Sequence, residues 1–225
     1  LSVYQFDRLV INPRIDLNGL PESDLSYKWS INLTPGDTVS LVLGTSRNLD
    51  EAITFRPTDA GDHHQLKYTI TDTKRDLDYI MTWNLVVKNN IGEGLVIAET
   101  HDNANSDLSH LMAPEVTPGF ASVSIKRNVY SNNNGKVIPG LIKQLNFTPA
   151  RDFDAIIGIT SNGIYRVNTL DYIEYAANND MFFAPPAVLA PQQLGDVYQN
   201  NVLVNDGRLT LTWLGISRKY GAPYD

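Results

Sequence analysis

Alternation of apolar and polar residues in the middle of the chain predicts a β-hairpin followed by the start of a new strand. Apolar positions alternate with polar ones over 66–71 and again over 79–88, which is the period of half-buried strands. The run Asn89–Gly94 then breaks the pattern. We therefore predict a first β-domain over residues 1–89 and a second over 92–225.

The first domain shows about seven short runs of strand character, separated by turn residues. Val3–Ile15 is predicted as a strand interrupted at Asn12-Pro13, which should be an edge strand or contain a bulge, because proline cannot donate to a ladder. Ile53 and Phe55 suggest another strand after the polar stretch 47–50. This spacing is typical of an immunoglobulin-like β-sandwich without its disulfide, with Trp29 as the buried tryptophan of a central strand.

The second domain is also predicted to be β-rich, with two strong hairpins. One spans 154–167, where Ser161-Asn162-Gly163 is expected to supply positive φ angles, and the other surrounds Asn205-Asp206-Gly207. Ser109–Met112 is predicted as a short helical turn and Ser131–Gly135 as a loop.

The two hairpins lie about 43 residues apart, near the blade period of a β-propeller. We therefore predict an all-β chain whose second domain resembles part of a propeller, and we expect the natural protein to continue past Asp225. A second small sandwich remains the alternative.

Composition narrows the classes of function. The net charge is −7 and the 18 basic residues are scattered, which argues against a nucleic-acid partner. The chain has no cysteine, which excludes disulfides and thiolate metal sites, and no apolar run of the roughly 18 residues that predict a membrane helix. It contains no Gly-x-Ser-x-Gly elbow, no His-Glu-x-x-His and no phosphate-binding loop. We predict that it is not an enzyme and needs no cofactor.

Two sets of residues are candidates for binding. Aromatic rings are natural platforms for sugars, and seven lie in or beside predicted loops of the second domain: Tyr130, Tyr165, Tyr172, Tyr175, Phe182, Phe183 and Tyr198. Asn103, Asn105 and Asp107 have the alternating oxygens of a calcium loop, flanked by His101 and His110. This run lacks the following glycine and has Pro114 where a calcium loop has its last carboxylate.

Several segments resemble one known family. LKYTITDTKRDLDYIMTWNLVV is similar to the last two strands of a PKD domain, and Tyr27-Lys28-Trp29 to its Tyr-x-Trp. The further matching pieces are Leu9–Pro13, Asn48–Asp50, Gly94–Ile97, Ser161–Tyr165, Val204–Gly207 and Lys219–Gly221. The chain thus resembles, as a divergent member, the PKD-like lipoproteins of Bacteroidetes, although the Gly-Asp-Gly that usually follows the tryptophan is missing.

The resemblance implies a protein lipid-anchored at the outer membrane or cell surface, here trimmed to a soluble ectodomain without its anchor. It also implies a glycan or peptide ligand and partners of the SusC/SusD type in a TonB-dependent nutrient-capture system. Two rival hypotheses stay open. One is a polysaccharide hydrolase with its site in a propeller funnel, and the other is a structural adhesin or complex subunit.

Overall fold

The protein is described by a computed structural model. The described residues are 1–33, 39–148, 155–197, 200–212 and 218–224. The prediction of an all-β chain is confirmed, since these residues form 18 strands and one short α-helix. None of the described helices is long and apolar enough to cross a membrane. Contacts divide the chain into unit 1, Leu1–Asn90, and unit 2, Ile91–Asp225.

Unit 1 has seven described strands in two sheets. They are β1 (Ser2–Tyr4), β2 (Arg8–Ile11), β3 (Leu25–Asn32), β4 (Leu41–Gly44), β5 (Leu49–Ala52), β6 (His64–Asp72) and β7 (Leu77–Lys88). The larger sheet has the order β1-β7-β6-β3-β4, and β2 pairs with β5 in the smaller one. The pairings are antiparallel except for β1, which runs parallel to β7.

The N-terminal segment belongs to both sheets, because the chain crosses between them after β1. The Gln5 amide donates to the Lys88 carbonyl at 2.9 Å, and the Phe6 amide donates to the Ile53 carbonyl at 2.7 Å. Phe6 turns the chain with a φ of 71°. The break therefore lies earlier than the predicted one at Asn12-Pro13, which instead follows the end of β2.

The core of unit 1 is built around Trp29, as the alternation predicts. Its indole is fully buried and stacks on Tyr68 with 4.0 Å between ring centroids. The indole N–H donates to the Ser46 carbonyl at 3.1 Å, and the Tyr68 hydroxyl donates to the Arg47 carbonyl at 3.0 Å. Both rings are thus buried with their polar atoms satisfied by one loop, which removes the cost of burying them.

The predicted strand at Ile53 and Phe55 is wrong. The strand is β5, which overlaps the polar stretch 47–50 and pairs with β2. Leu49 is buried and Asp50 accepts from the Arg8 side chain at 2.6 Å. Pairing with a partner strand distant in sequence outweighs the local polarity that argued against a strand here.

We expect Trp29→Ala to lower the free energy of unfolding of unit 1 by about 3–5 kcal/mol, because it leaves a large cavity and a buried Tyr68 face. Val10→Ala removes an exposed side chain of the same unit and should change this energy by less than about 0.5 kcal/mol. Urea unfolding followed by circular dichroism measures both. Equal effects of the two variants would contradict the core assignment.

Unit 2 contains eleven described strands and the helix. They are β8 (Leu95–Glu99), β9 (Asn105–Met112), β10 (Ser124–Lys126), α1 (Val129–Asn134), β11 (Ile138–Pro139), β12 (Ile142–Thr148), β13 (Ala155–Thr160), β14 (Ile164–Asn168), β15 (Glu174–Ala177), β16 (Pro191–Val197), β17 (Asn200–Asn205) and β18 (Arg208–Leu211). They form three antiparallel sheets. In the first, β9 pairs with β8, β10 and β11, while the others have the orders β12-β13-β14-β15 and β16-β17-β18.

Both predicted hairpins are confirmed, as β13–β14 and β17–β18. The second turn has φ angles of 49° at Asp206 and 72° at Gly207, the conformation that its sequence predicts. The expectation of positive φ angles in the first turn is wrong. Gly163 is needed there for space, since a Cβ would lie 2.2 Å from Asn178 Oδ1.

Two local predictions in unit 2 are wrong. Ser109–Met112 is part of β9, because strands on both sides of β9 supply its pairing and nearly all of its side chains are buried. Residues 131–134 belong to helix α1, and Gly135 follows the helix end with a φ of 68°. A run of asparagines followed by glycine resembles a loop in sequence, although glycine is also the common residue after a helix end.

Gly207→Ala should lower the free energy of unfolding by about 1–2 kcal/mol, because alanine is strained at a positive φ. Gly195 in β16 has open space around its Cβ position and no positive φ. Gly195→Ala should therefore change the energy by less than about 0.5 kcal/mol in the same denaturation experiment. A neutral Gly207→Ala would show that the turn adopts another conformation.

Candidate binding cleft in unit 2

Unit 2 contains a cleft of about 580 Å³ between its first two sheets. Its lining comes from the segment that leads into β8, from β9, β12 and β13, and from the loop before β15. The lining residues are Gly92, Glu93, Gly94, Leu95, Val96, His110, Leu145, Asn146, Phe147, Ile156, Thr169 and Tyr172. Apolar side chains thus alternate with a few polar groups, the usual composition of a small-molecule site.

His110 is the most unusual residue of the cleft. It lies on β9, is 3% exposed, and its Nδ1 is 2.6 Å from the Tyr172 hydroxyl oxygen. Its Nε2 is buried and has no hydrogen-bond partner among the described residues. A Cβ at Gly94 would clash with the Leu111 carbonyl oxygen and lie 2.7 Å from this nitrogen, so only glycine fits beside the ring.

The ring of His110 is held neutral at neutral pH. Burial lowers its pKa to about 4, and the nearby ammonium of Lys126 adds to the decrease. The Gly92 backbone, which approaches the ring without forming a well-aligned hydrogen bond, opposes it. Burial also raises the pKa of Tyr172, which therefore stays protonated.

The hydrogen-bond network assigns the tautomer of His110. Among the described atoms, His110 Nδ1 is the one acceptor within reach of the Tyr172 hydroxyl. We therefore assign this hydroxyl as the donor and Nδ1 as the acceptor. The proton of the neutral ring then lies on Nε2. An unpaired buried N–H costs free energy, and a ligand oxygen that accepts from it would recover that energy.

Helix α1 fixes the position of Tyr172. The tyrosine has a φ of 57°, and its backbone amide donates to the Asn168 carbonyl at 3.1 Å. The side-chain amide of Asn134 donates to the Tyr172 carbonyl at 2.9 Å, and its Oδ1 accepts from the backbone amide of Glu174 at 2.9 Å. The side-chain amide of Asn133 donates to the Asp171 carbonyl. The asparagines of this short helix therefore hold the loop in the conformation that brings Tyr172 to His110.

Of the aromatic candidates, Tyr172 is the one that lines the cleft. Tyr130, Tyr165 and Phe182 are buried elsewhere, and the Tyr130 hydroxyl donates to the Glu174 carboxylate. Tyr175 and Phe183 are about half exposed outside the cleft. Tyr198 lies outside the described residues.

Phe147 lines the cleft and is 55% exposed, but it is not among the aromatic residues that the sequence predicts for binding. The available signal is an aromatic residue between two polar ones, Asn146 and Thr148. His110 was noted only as a neighbour of the asparagine run. Its pairing with Tyr172, 62 residues away in sequence, had no local signal.

Two carboxylates at the predicted calcium loop already accept hydrogen bonds from nearby backbone amides. Asp102 accepts from the amides of Ala104 and Asn105 at 2.9 and 2.7 Å, which lowers its pKa to about 2. Asp107 is buried on β9 and accepts from the Ser131 amide at 3.1 Å. Asn103 forms part of the same turn with a φ of 55°. The described residues contain no group of three or more His, Cys, Asp or Glu placed to hold a metal, and the calcium site stays a prediction.

Comparison with known proteins gives little further guidance. No family model matches the chain, and no curated protein matches it. Among solved structures, a quinoprotein alcohol dehydrogenase-like protein from Bacteroides thetaiotaomicron matches 95% of this chain at 14% identity, with a TM-score of 0.49. The chain spans 44% of that protein's length. A likeness at this level carries no argument about fold or function.

The neutral state of His110 predicts a pH dependence of stability. The unfolded chain takes up a proton as the pH falls below the ordinary histidine pKa of 6.5, whereas the folded protein resists protonation until about pH 4. Stability should therefore fall by up to about 3 kcal/mol between pH 6.5 and 4. His110→Gln should lose this part of the pH dependence. Urea unfolding of both proteins across this range measures the difference, and parallel curves would contradict it.

Proposed function

We propose that this chain is a non-enzymatic binding module that takes a saccharide in the cleft of unit 2. The observation that carries the proposal is the unpaired Nε2 of His110, buried at a cleft whose lining includes the exposed ring of Phe147. The volume of about 580 Å³ falls within the usual range for small-ligand sites.

The chemistry of the lining suits hydroxyl groups. The His110 Nε2–H is a donor, the Glu93 carboxylate is an acceptor, and the Thr169 hydroxyl can act as either. A sugar hydroxyl both donates and accepts, and one face of a pyranose is apolar enough to cover an aromatic ring. Phe147 offers such a ring at the surface, with Leu145 and Ile156 beside it.

The hydrolase hypothesis receives no specific support from this cleft. Glycoside hydrolysis generally needs two carboxyl groups that flank the scissile bond. Among the described lining residues, Glu93 is the one carboxylate. Binding without turnover is therefore the function that these residues favour.

The proposal also includes a fold type for each unit. We assign unit 1 to a PKD-like, immunoglobulin-like sandwich, because two sheets enclose one core and the N-terminal segment contributes to both. We assign the sheets of unit 2 to propeller-like blades. Their first strands lie side by side, since β12 contacts both β8 and β16, and the Gln144 side chain exchanges two hydrogen bonds with the Leu194 backbone.

The resemblance of the sequence to PKD-like lipoproteins supports a place at the outer surface of a Gram-negative cell, held there by a lipid anchor. In that setting the module would serve glycan capture beside a SusC/SusD-type, TonB-dependent system. A peptide ligand is the alternative within the same setting.

The proposal predicts that oligosaccharides of one class raise the melting temperature, because a ligand that binds only the folded state stabilises it by mass action. A thermal-shift panel of glucose, mannose, xylose and N-acetylglucosamine oligomers, with short peptides alongside, identifies the class. Isothermal titration with the best oligomer then measures affinity. His110→Gln and Phe147→Ala should each weaken binding by about tenfold, the equivalent of about 1.4 kcal/mol.

Phe183→Ala is the matched control, because Phe183 is about as exposed as Phe147 and lies outside the cleft. It should bind like the unmodified protein. The proposal fails if no oligosaccharide shifts the melting temperature, or if His110→Gln and Phe147→Ala both retain full affinity. A shift with peptides alone would move the site to a different ligand class.

A further inference from the structure

One edge of the large sheet in unit 1 is open. β7 is 12 residues long, but β1 pairs only with its last three residues, Val86–Lys88, and the Leu1 ammonium reaches back to the Asn84 carbonyl. Within the described part of unit 1, no strand pairs with this side of residues 77–83. Their backbone groups on that side are therefore free to pair.

The direction of the free groups follows from the ladder with β1. The Val86 amide donates outward to the Leu1 carbonyl, and the Asn84 carbonyl also faces outward. Neighbouring residues of a strand point to opposite sides, and β7 pairs with β6 without a register shift. Asp78, Ile80 and Thr82 therefore present their N–H and C=O groups at the open edge.

One face of this edge is apolar, with Leu77, Tyr79 and Met81, and on the other face Ile80 lies between Asp78 and Thr82. Leu77, Tyr79, Ile80 and Met81 are between 49% and 55% exposed. Residues 77–83 contain no proline and no lysine, and Asp78 is their one charged residue, so little protects this edge from pairing. An edge of this kind is a template for another strand.

We propose that the open edge of β7 pairs antiparallel with β7 of a second copy of this chain, about a two-fold axis at Ile80. Ile80 then faces Ile80 of the partner subunit, and Asp78 faces the partner's Thr82. On the other face of the sheet, Tyr79 lies opposite the partner's Met81. No like charges oppose each other, and each contact occurs twice, as a two-fold interface requires.

The register has a physical reason. Centring the axis at Ile80 pairs every free outward residue with another free outward residue. A centre at Met81 would place Asp78 against Asn84 of the partner subunit, whose carbonyl already accepts from Leu1. A centre at Tyr79 would place Thr82 against the partner's Asp76, which lies in the turn before β7. If the pairing shifted by one residue, the outward backbone groups of one strand would face residues whose backbone groups point away from the interface.

A cysteine at the axis tests the register directly, because the chain has no cysteine of its own. In a hydrogen-bonded antiparallel pair the two Cα atoms lie about 5.5 Å apart, within the range of about 4.4–6.8 Å that a disulfide spans. Ile80→Cys should form a covalent dimer under mild oxidation at least tenfold faster than Val10→Cys, a cysteine at an equally exposed position on β2. Equal rates would overturn the proposal.

Light scattering after size exclusion tests the assembly without a cross-link. The unmodified protein should approach twice the monomer mass as its concentration rises. Ile80→Lys should stay monomeric, because two lysines would face each other at the axis, whereas Val10→Lys should dimerise normally. A monomer at all concentrations would overturn the proposal, even if the open edge were then found to pair with a strand of another protein. A dimer that survives Ile80→Lys would also overturn it.

Discussion

The hydrogen bond between the Tyr172 hydroxyl and His110 Nδ1 is the contact on which the cleft of unit 2 depends. It joins β9 to the loop before β15, two segments 62 residues apart in sequence. The bond occupies one ring nitrogen and leaves the other buried without a partner. Burial keeps the ring neutral, so the site presents a polar N–H rather than a charge. The asparagines of α1 hold the tyrosine, and Gly94 lets the backbone pack close to the His110 ring.

Patterns within a strand or a turn were sufficient to predict much of the fold. The β6–β7 hairpin, the turn at Asp206-Gly207 and the burial of Trp29 follow from alternation and from the conformational preferences of single residues. Where the pairing partner decides the structure, sequence reasoning failed. β5 has a polar sequence because it lies in a two-stranded sheet. β9 shows no alternation of apolar and polar residues because both of its faces are buried.

The candidate site was less predictable, for a physical reason. Solvent exposure and proximity decide whether an aromatic residue can meet a ligand, and neither is a local property of the sequence. Tyr130 and Tyr172 looked equivalent as loop tyrosines. In the structure, one donates to the Glu174 carboxylate and the other lines a cleft. The unpaired nitrogen of His110 is visible only after every neighbouring donor and acceptor has been placed.

The parallel pairing of β1 with β7 gives unit 1 a specific response to mechanical force. The two strands hold the two ends of the unit, and their bonds join Leu1 to Asn84 and Val86, and Gln5 to Lys88. Because the strands run in the same direction, tension applied along the chain at the two ends pulls them past each other. The bonds are then loaded together in shear rather than opened one at a time. A unit tethered at one end and pulled at the other would thus resist extension before its core is exposed.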